Sequence, residues 1–179
     1  FKNGIKDGKQ VSYDYFKDDN ETFIKSIENY SNGQINGKVI RYVVTPSESY
    51  MIEYSTYKND VLDGKFLGSY NNNIVEKNYT NGTLNGNYKE YFDLKSTIVG
   101  GLARLDTLQL PPTVVLEQNY VNDKLQGAVK EFDLSGSLIA EGFYADSLKT
   151  GTWKFHRRDR SYQHLPHSGL AQSLRHPEH

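Results

Sequence analysis

Cysteine is absent from the 179-residue chain. That excludes disulfides, thiolate nucleophiles and Cys-based zinc sites, and it fits cytosol and cell envelope equally. Histidine is absent from residues 1–155, because all five lie in residues 156–179. The body therefore lacks the general base of Ser-His and Cys-His catalysis. No stretch approaches the roughly 18 consecutive apolar residues of a membrane helix. A net charge of −1 gives bulk electrostatics no reason to favour nucleic acid or a lipid surface. Sustained helical periodicity with caps is missing. So are a Walker sequence, a kinase Gly-rich loop and a catalytic His-Arg-Asp. The chain starts at Phe1 with neither Met nor a signal segment, as a mature secreted protein or a trimmed chain would.

Aromatics are what the chain has. They make up 13% of residues against a hydrophobic total of only 36%, with 14 Tyr and 8 Phe. This suits half-buried strands better than a thick aliphatic core. The aromatics also mark a repeat. Take Phe1, Tyr30, Tyr57, Tyr79, Tyr120 and Tyr144 as position zero of six units. Position two is then Asn3, Asn32, Asn59, Asn81, Asn122 and Asp146. Position three is Gly4, Gly33, Asp60, Gly82, Asp123 and Ser147. Position five is usually aliphatic, as in Ile35, Leu62, Leu84 and Leu125. Position seven is always glycine: Gly8, Gly37, Gly64, Gly86, Gly127 and Gly151. Position nine is often bulky (Val39, Phe66, Tyr88, Val129, Trp153), and position twelve often aromatic (Tyr13, Tyr42, Tyr91, Phe132).

Asn-Gly and Asn-Asp accept positive φ and mark the turn of a hairpin. Two loops fit the pattern. A two-residue type I′ turn sets position five opposite the first aromatic. A longer loop runs to the residue before the fixed glycine and tucks the aliphatic residue underneath. The longer loop is the expectation, because glycine weakens a mid-strand position but suits a backbone bend. Second turns fall at Asp93-Leu94-Lys95-Ser96 and Asp133-Leu134-Ser135-Gly136. One hairpin is unstable alone, so the units must stack. The expected fold is all-β: an elongated antiparallel meander of repeated β-hairpins, with units starting near residues 1, 27, 54, 76, 117 and 141.

The pattern Glu-x-x-Tyr-x-Asn-Gly-x-Leu-x-Gly-x-x-Lys-x-Tyr, carried by residues 76–91 and 117–132, resembles the MORN repeat. It is closer still to the bacterial variant found in antitoxin-like repeat proteins. The ending Gly151-Thr152-Trp153-Lys154-Phe155 is similar to that family's Gly-x-Trp-Lys ending. The resemblance covers residues 1–155, and the Phe1 and Tyr57 units depart most, with Lys6 for the aliphatic residue and Ser69 for the closing aromatic. It implies a non-enzymatic protein-binding repeat module of the antitoxin or immunity kind, without a cofactor. Such repeats also occur in envelope- or membrane-associated scaffolds making lipid or protein contacts. They are appended to phosphatidylinositol phosphate kinases too, whose label would rest here on no catalytic residue. The bacterial cytoplasm and the envelope or secreted space are both open.

Two segments break the pattern. Residues 95–113 form an insert without Tyr or Asn, carrying Ile98, Val99, Leu102, Leu105, Leu108 and Leu110 before Pro111-Pro112. Its plain reading is a flap over the sheet or an extra strand pair, and its functional reading is a binding loop. Residues 156–179 hold four of six Arg and no Lys, whereas the body has 15 Lys and two Arg. That tail belongs to no repeat, and its foreign composition fits a non-native addition or a shifted reading frame as well as a natural tail. Its His164-x-x-His167 and His176-x-x-His179 pairs have metal-ligand spacing, but Pro166 and Pro177 break any helix that would align them. Arg157, Arg158 and Arg160 read as a solvated run, and Asp18-Asp19-Asn20-Glu21 as an acidic loop without EF-hand spacing. No metal site is expected.

Paired carboxylates for glycoside chemistry are available in Glu53, Glu76, Glu90, Glu117, Glu131 and Glu141. Most recur at repeat positions, so they read as exposed cross-strand partners of Lys77, Lys89 and Lys130. No catalytic residue is expected. The partner-binding candidates are Tyr88, Tyr91, Phe132 and Trp153, as aromatics of a groove for another protein. Their plainer role is the core of a thin sheet.

Overall fold

The fold was analysed in a computed structural model, which describes residues 1–16, 20–45, 49–70, 73–92, 98–99, 102–103, 105 and 113–156. The Asp93–Ser96 turn, the acidic pair Asp18-Asp19, most of the insert and the His and Arg pattern of residues 157–179 lie outside them. The elements are all strands: β1 (Gly8–Phe16), β2 (Glu21–Ser31), β3 (Gln34–Val44), β4 (Ser49–Lys58), β5 (Val61–Tyr70), β6 (Asn73–Thr80), β7 (Thr83–Leu84), β8 (Gly86–Phe92), β9 (Ile98–Val99), β10 (Leu102–Ala103), β11 (Thr113–Val121), β12 (Lys124–Leu125), β13 (Gly127–Phe132), β14 (Leu138–Ala145) and β15 (Leu148–Phe155). One 13-stranded antiparallel sheet runs β1-β2-β3-β4-β5-β6-β8-β11-β13-β14-β15, with β7 on β6 and β12 on β11. The expected meander of hairpins is what forms. Its hairpins begin several residues before the first motif position, at Glu21, Ser49, Asn73, Thr113 and Leu138.

The turns are the two-residue kind, so the longer-loop expectation is corrected. Ser31 pairs with Gln34, Lys58 with Val61, Thr80 with Thr83, Val121 with Lys124 and Ala145 with Leu148. The two residues between have φ of 49° and 85° at Asn32-Gly33, and 49° and 65° at Asn59-Asp60, as a type I′ turn requires. The repeat glycine sits further on, inside the ladder, at a bulge. Between the pairs Tyr57–Leu62 and Ser55–Phe66, Thr56 faces three residues, Asp63 to Lys65. Gly64 is in the middle of them at φ 111°, where an L side chain is strained. The bulge frees backbone carbonyls, and the residue before the aromatic takes one up: Asn29 Nδ2 donates to Lys38 O at 2.7 Å and Asn78 Nδ2 to Asn87 O at 3.1 Å.

The repeat glycine also sets how units stack. It pairs with the aromatic of the next unit: Gly8 with Tyr30, Gly37 with Tyr57, Gly64 with Tyr79, Gly86 with Tyr120 and Gly127 with Tyr144. Each turn then grips the turn before it. The Asp60 N–H donates to Ile35 O at 2.9 Å, while the Ile35 N–H donates to Asp60 Oδ1 at 2.7 Å. Asp123 repeats this on Leu84, at 3.0 and 2.7 Å, and Ser147 on Leu125, at 2.9 and 3.0 Å. Gly33 and Gly82 at the same position keep only the backbone bond, to Lys6 O and Leu62 O, each at 2.8 Å.

Residues paired across a ladder share a face, and successive residues alternate. One face carries the position-zero tyrosines and the bulky position nine. There Val39, Val75, Tyr88, Val129 and Ala140 are buried, together with Ser55. On the other face, Ile74 and Leu105 form a buried cluster with Met51, Leu67 and Tyr91 against it. Leu105 comes from the insert, and its N–H donates to Met51 O at 2.8 Å. The described insert thus includes a two-stranded ladder, β9–β10, and a residue closing over the sheet.

Candidate functional site

A single row of side chains crosses that second face on every strand of the main path. Its ladder partners run Val11, Ile27, Ile40, Tyr54, Leu67, then Glu76, Lys89, Glu117, Lys130, Glu141, Lys154. The row is apolar over β1–β5 and alternates in sign from β6 onwards. Leu105 packs where the two halves meet, in one cluster with Ile74 that Leu67 lies against. Lys89 Nζ lies 2.7 Å from Glu117 Oε1, Lys154 Nζ 3.2 Å from Glu141 Oε1, and Lys65 Nζ 3.1 Å from Glu76 Oε1. All three pairs are partly exposed, so each contributes about 0–1 kcal/mol.

Two open depressions follow the charged half. One, of about 340 Å³, is lined by Asn87, Lys89, Glu117, Asn119, Ala128 and Lys130, among others. The next, of about 240 Å³, is bounded by Ala128, Lys130, Glu141, Phe143, Thr152 and Lys154, with Gly142 in its floor. They share Ala128 and Lys130, so they form one trough, edged by charged side chains, across β8, β11, β13, β14 and β15. Ala128 creates the gap: the other units carry Lys9, Lys38, Lys65, Asn87 or Thr152 at its repeat position. Phe143, paired with Ala128, is 55% exposed beside the trough.

The four aromatic candidates do not share one surface. Tyr88 is 8% exposed, lies on the tyrosine face and donates to Glu90 Oε1 at 2.5 Å. Tyr91 pairs with Ile74 on the opposite face and donates to Glu76 Oε2 at 3.1 Å. Phe132 pairs with Leu138 beyond a register shift in β13. Trp153 meets Tyr144 edge-on at 5.3 Å, stacks on Phe155 at 6.4 Å and carries the Lys149 ammonium 4.0 Å above its ring. Gly142 makes room for it, since a Cβ there would stand 2.3 Å from Trp153 Cδ2. Among the described residues, the buried indole N–H meets no hydrogen-bond partner.

The carboxylates divide among partners differently from the sequence expectation. Glu117 does meet Lys89. Glu53 instead takes Arg41, at 2.5 Å, and the Ser55 hydroxyl, at 2.8 Å. Lys77 lies between the Phe66 and Tyr88 rings, at 5.7 and 5.6 Å from their centres. Among the described residues, no three His, Asp or Glu gather as a metal would need.

Burial pushes the Tyr91 hydroxyl up to about 12, with the Glu76 charge and hydrogen bond adding to it. A phenol raised in the folded state stabilises the fold below its ordinary value near 10, and that stability is lost as pH rises through 12. Tyr79 and Tyr120 are raised as well, burial first, then Asp123 and Glu90 respectively. Wild-type urea midpoints should therefore fall between about pH 10 and 12, and Tyr91→Phe should flatten part of that slope. An identical slope in the variant would refute the burial of this hydroxyl.

Comparison with protein-family models finds no match, and comparison with curated proteins finds none either.

Proposed function

We propose that the protein is a non-enzymatic module that binds another protein, using the hairpin β14–β15 and the trough beside it. The supporting observation is an exposed apolar group on that hairpin. Phe143 and Leu148, 55% and 71% exposed, share the trough face, while Phe155, 72% exposed, flanks Trp153 on the other. Scattered exposed apolar residues are ordinary, but Phe143 and Leu148 on one face of one hairpin, beside a trough edged by Lys and Glu, resemble a binding surface with an apolar centre and a charged rim. The rigid ladder beneath lowers the ordering cost of such a surface. The MORN-like pattern supports the narrower reading of an antitoxin or immunity protein, whose partner is a toxin.

The test is capture from source-cell lysate and membrane fractions with the full chain, alongside a folded Phe143→Ala/Leu148→Ala variant. One stoichiometric partner lost with the variant is the expected result. A partner retained by the variant would remove this surface. No partner from either fraction would overturn the binding reading, and flotation on anionic liposomes would then favour a membrane scaffold.

A further inference from the structure

We infer that the charged half of the ladder row is a homotypic docking surface, whose occupant is the same row of a second copy. The order Glu76–Lys89–Glu117–Lys130–Glu141–Lys154 is charge-complementary to its own reverse. A two-fold axis parallel to the strands brings two such faces together with the row reversed. Glu76 then faces the second copy's Lys154, Lys89 its Glu141, and Glu117 its Lys130. A two-fold axis along the row would set each residue against itself, six like pairs in line, so the charges also select the orientation. Pitch argues for the same occupant. The row advances by one strand spacing, about 4.8 Å, whereas same-side residues of an extended peptide are about 7 Å apart and fall out of step at once. Another sheet matches at every position, and a second copy matches in sign as well.

The middle of the row is where contact is expected. Sheet twist of roughly 20–25° per strand makes two faces diverge away from the axis, leaving the Glu117–Lys130 pairs at the centre and Lys89–Glu141 next to them. Lys130 is suited to this place. Among the described residues its ammonium has no ion-pair partner, while Glu117 and Glu141 hold Lys89 and Lys154. The depressions on either side of it, opened by Ala128, give an incoming side chain room. So short a contact gives a weak, salt-sensitive dimer. The inference does not rest on the proposed foreign partner, but the second copy would fill the same trough, so the two occupants exclude each other.

Sedimentation of the full chain over a concentration series, at low and high ionic strength, tests it. Wild type should dimerise reversibly at low salt and dissociate at high salt. Lys130→Glu and Glu117→Lys should each weaken the dimer roughly tenfold or more, by facing like charges across the axis twice. The double reversal restores unlike pairs and should restore the dimer. Circular dichroism checks that each variant is folded. A wild type monomeric throughout would overturn the inference and leave the trough to a foreign segment. Single reversals that dimerise normally, or a folded double reversal that stays monomeric, would overturn it too.

Discussion

Tyr88→Ala should lower the unfolding free energy by about 3–5 kcal/mol, the range for removing a buried aromatic ring. The ring is 8% exposed, packs 5.8 Å from the Tyr120 ring and lies under the Lys77 ammonium at 5.6 Å. Truncation would leave a cavity joining two units and strip Glu90 of its 2.5 Å hydroxyl donor. Tyr88→Phe separates the two contributions, because it keeps the ring and loses only the hydrogen bond, at about 1–2 kcal/mol. Phe143→Ala, on an exposed ring, should stay within about 0.5 kcal/mol. Urea unfolding followed by circular dichroism and by Trp153 fluorescence measures all three, and two probes are needed because repeat arrays can unfold in stages. If Tyr88→Ala cost no more than Phe143→Ala, Tyr88 would not be part of the sheet's packing. Its value as a binding residue would then rise.

Much of this fold was legible in the sequence because hairpin chemistry is local. Asn-Gly and Asn-Asp mark turns by their tolerance of positive φ, and the alternation around them marks strands. What misled was the glycine at position seven. A conformationally special residue looks the same in sequence whether it ends a loop or sits at a bulge, and a loop is the commoner place for it. The resolving signal was the amide two positions before the turn's closing strand residue, at Asn29 and Asn78, whose Nδ2 groups cap carbonyls next to the bulge. The charge row was half legible. Glu and Lys recur at fixed positions, so cross-strand pairing followed, but which Glu meets which Lys depends on a register that each bulge shifts. Lys77 shows the limit: its place between Phe66 and Tyr88 requires three strands from two units to be aligned first. Gly142 is similar, because its reason is the Trp153 ring on the neighbouring strand, an aromatic that only the last unit makes so large.

Gly64→Ala and Gly127→Ala should both destabilise the protein, and the difference between them isolates strain from crowding. In an ordinary strand such a change is neutral or stabilising, by about 0.4–1 kcal/mol, because it restricts the unfolded chain. Here the backbone is at φ 111° and 89°, where an L side chain costs of order 1–3 kcal/mol. At Gly127 nothing lies within 4 Å of the added Cβ, so the loss should be the backbone cost alone, about 1–2 kcal/mol. At Gly64 the Cβ would also stand 3.3 Å from Thr56 Cβ, on a bulge held between two units, and the loss should reach about 2–3 kcal/mol. Gly127→Asn should cost less than Gly127→Ala, since Asn accepts positive φ more readily. A stabilised Gly127→Ala would mean that the bulge is absent and that this glycine lies in regular strand. The sign matters beyond one unit. Each repeat glycine before Gly151 is the ladder partner of the next unit's aromatic, so the spacing from aromatic to glycine fixes where every following hairpin attaches. A bulge that relaxed at Gly64 would shift Tyr79, and with it the register of the sheet from β6 onward, including the alternation of Glu and Lys that ends at Lys154.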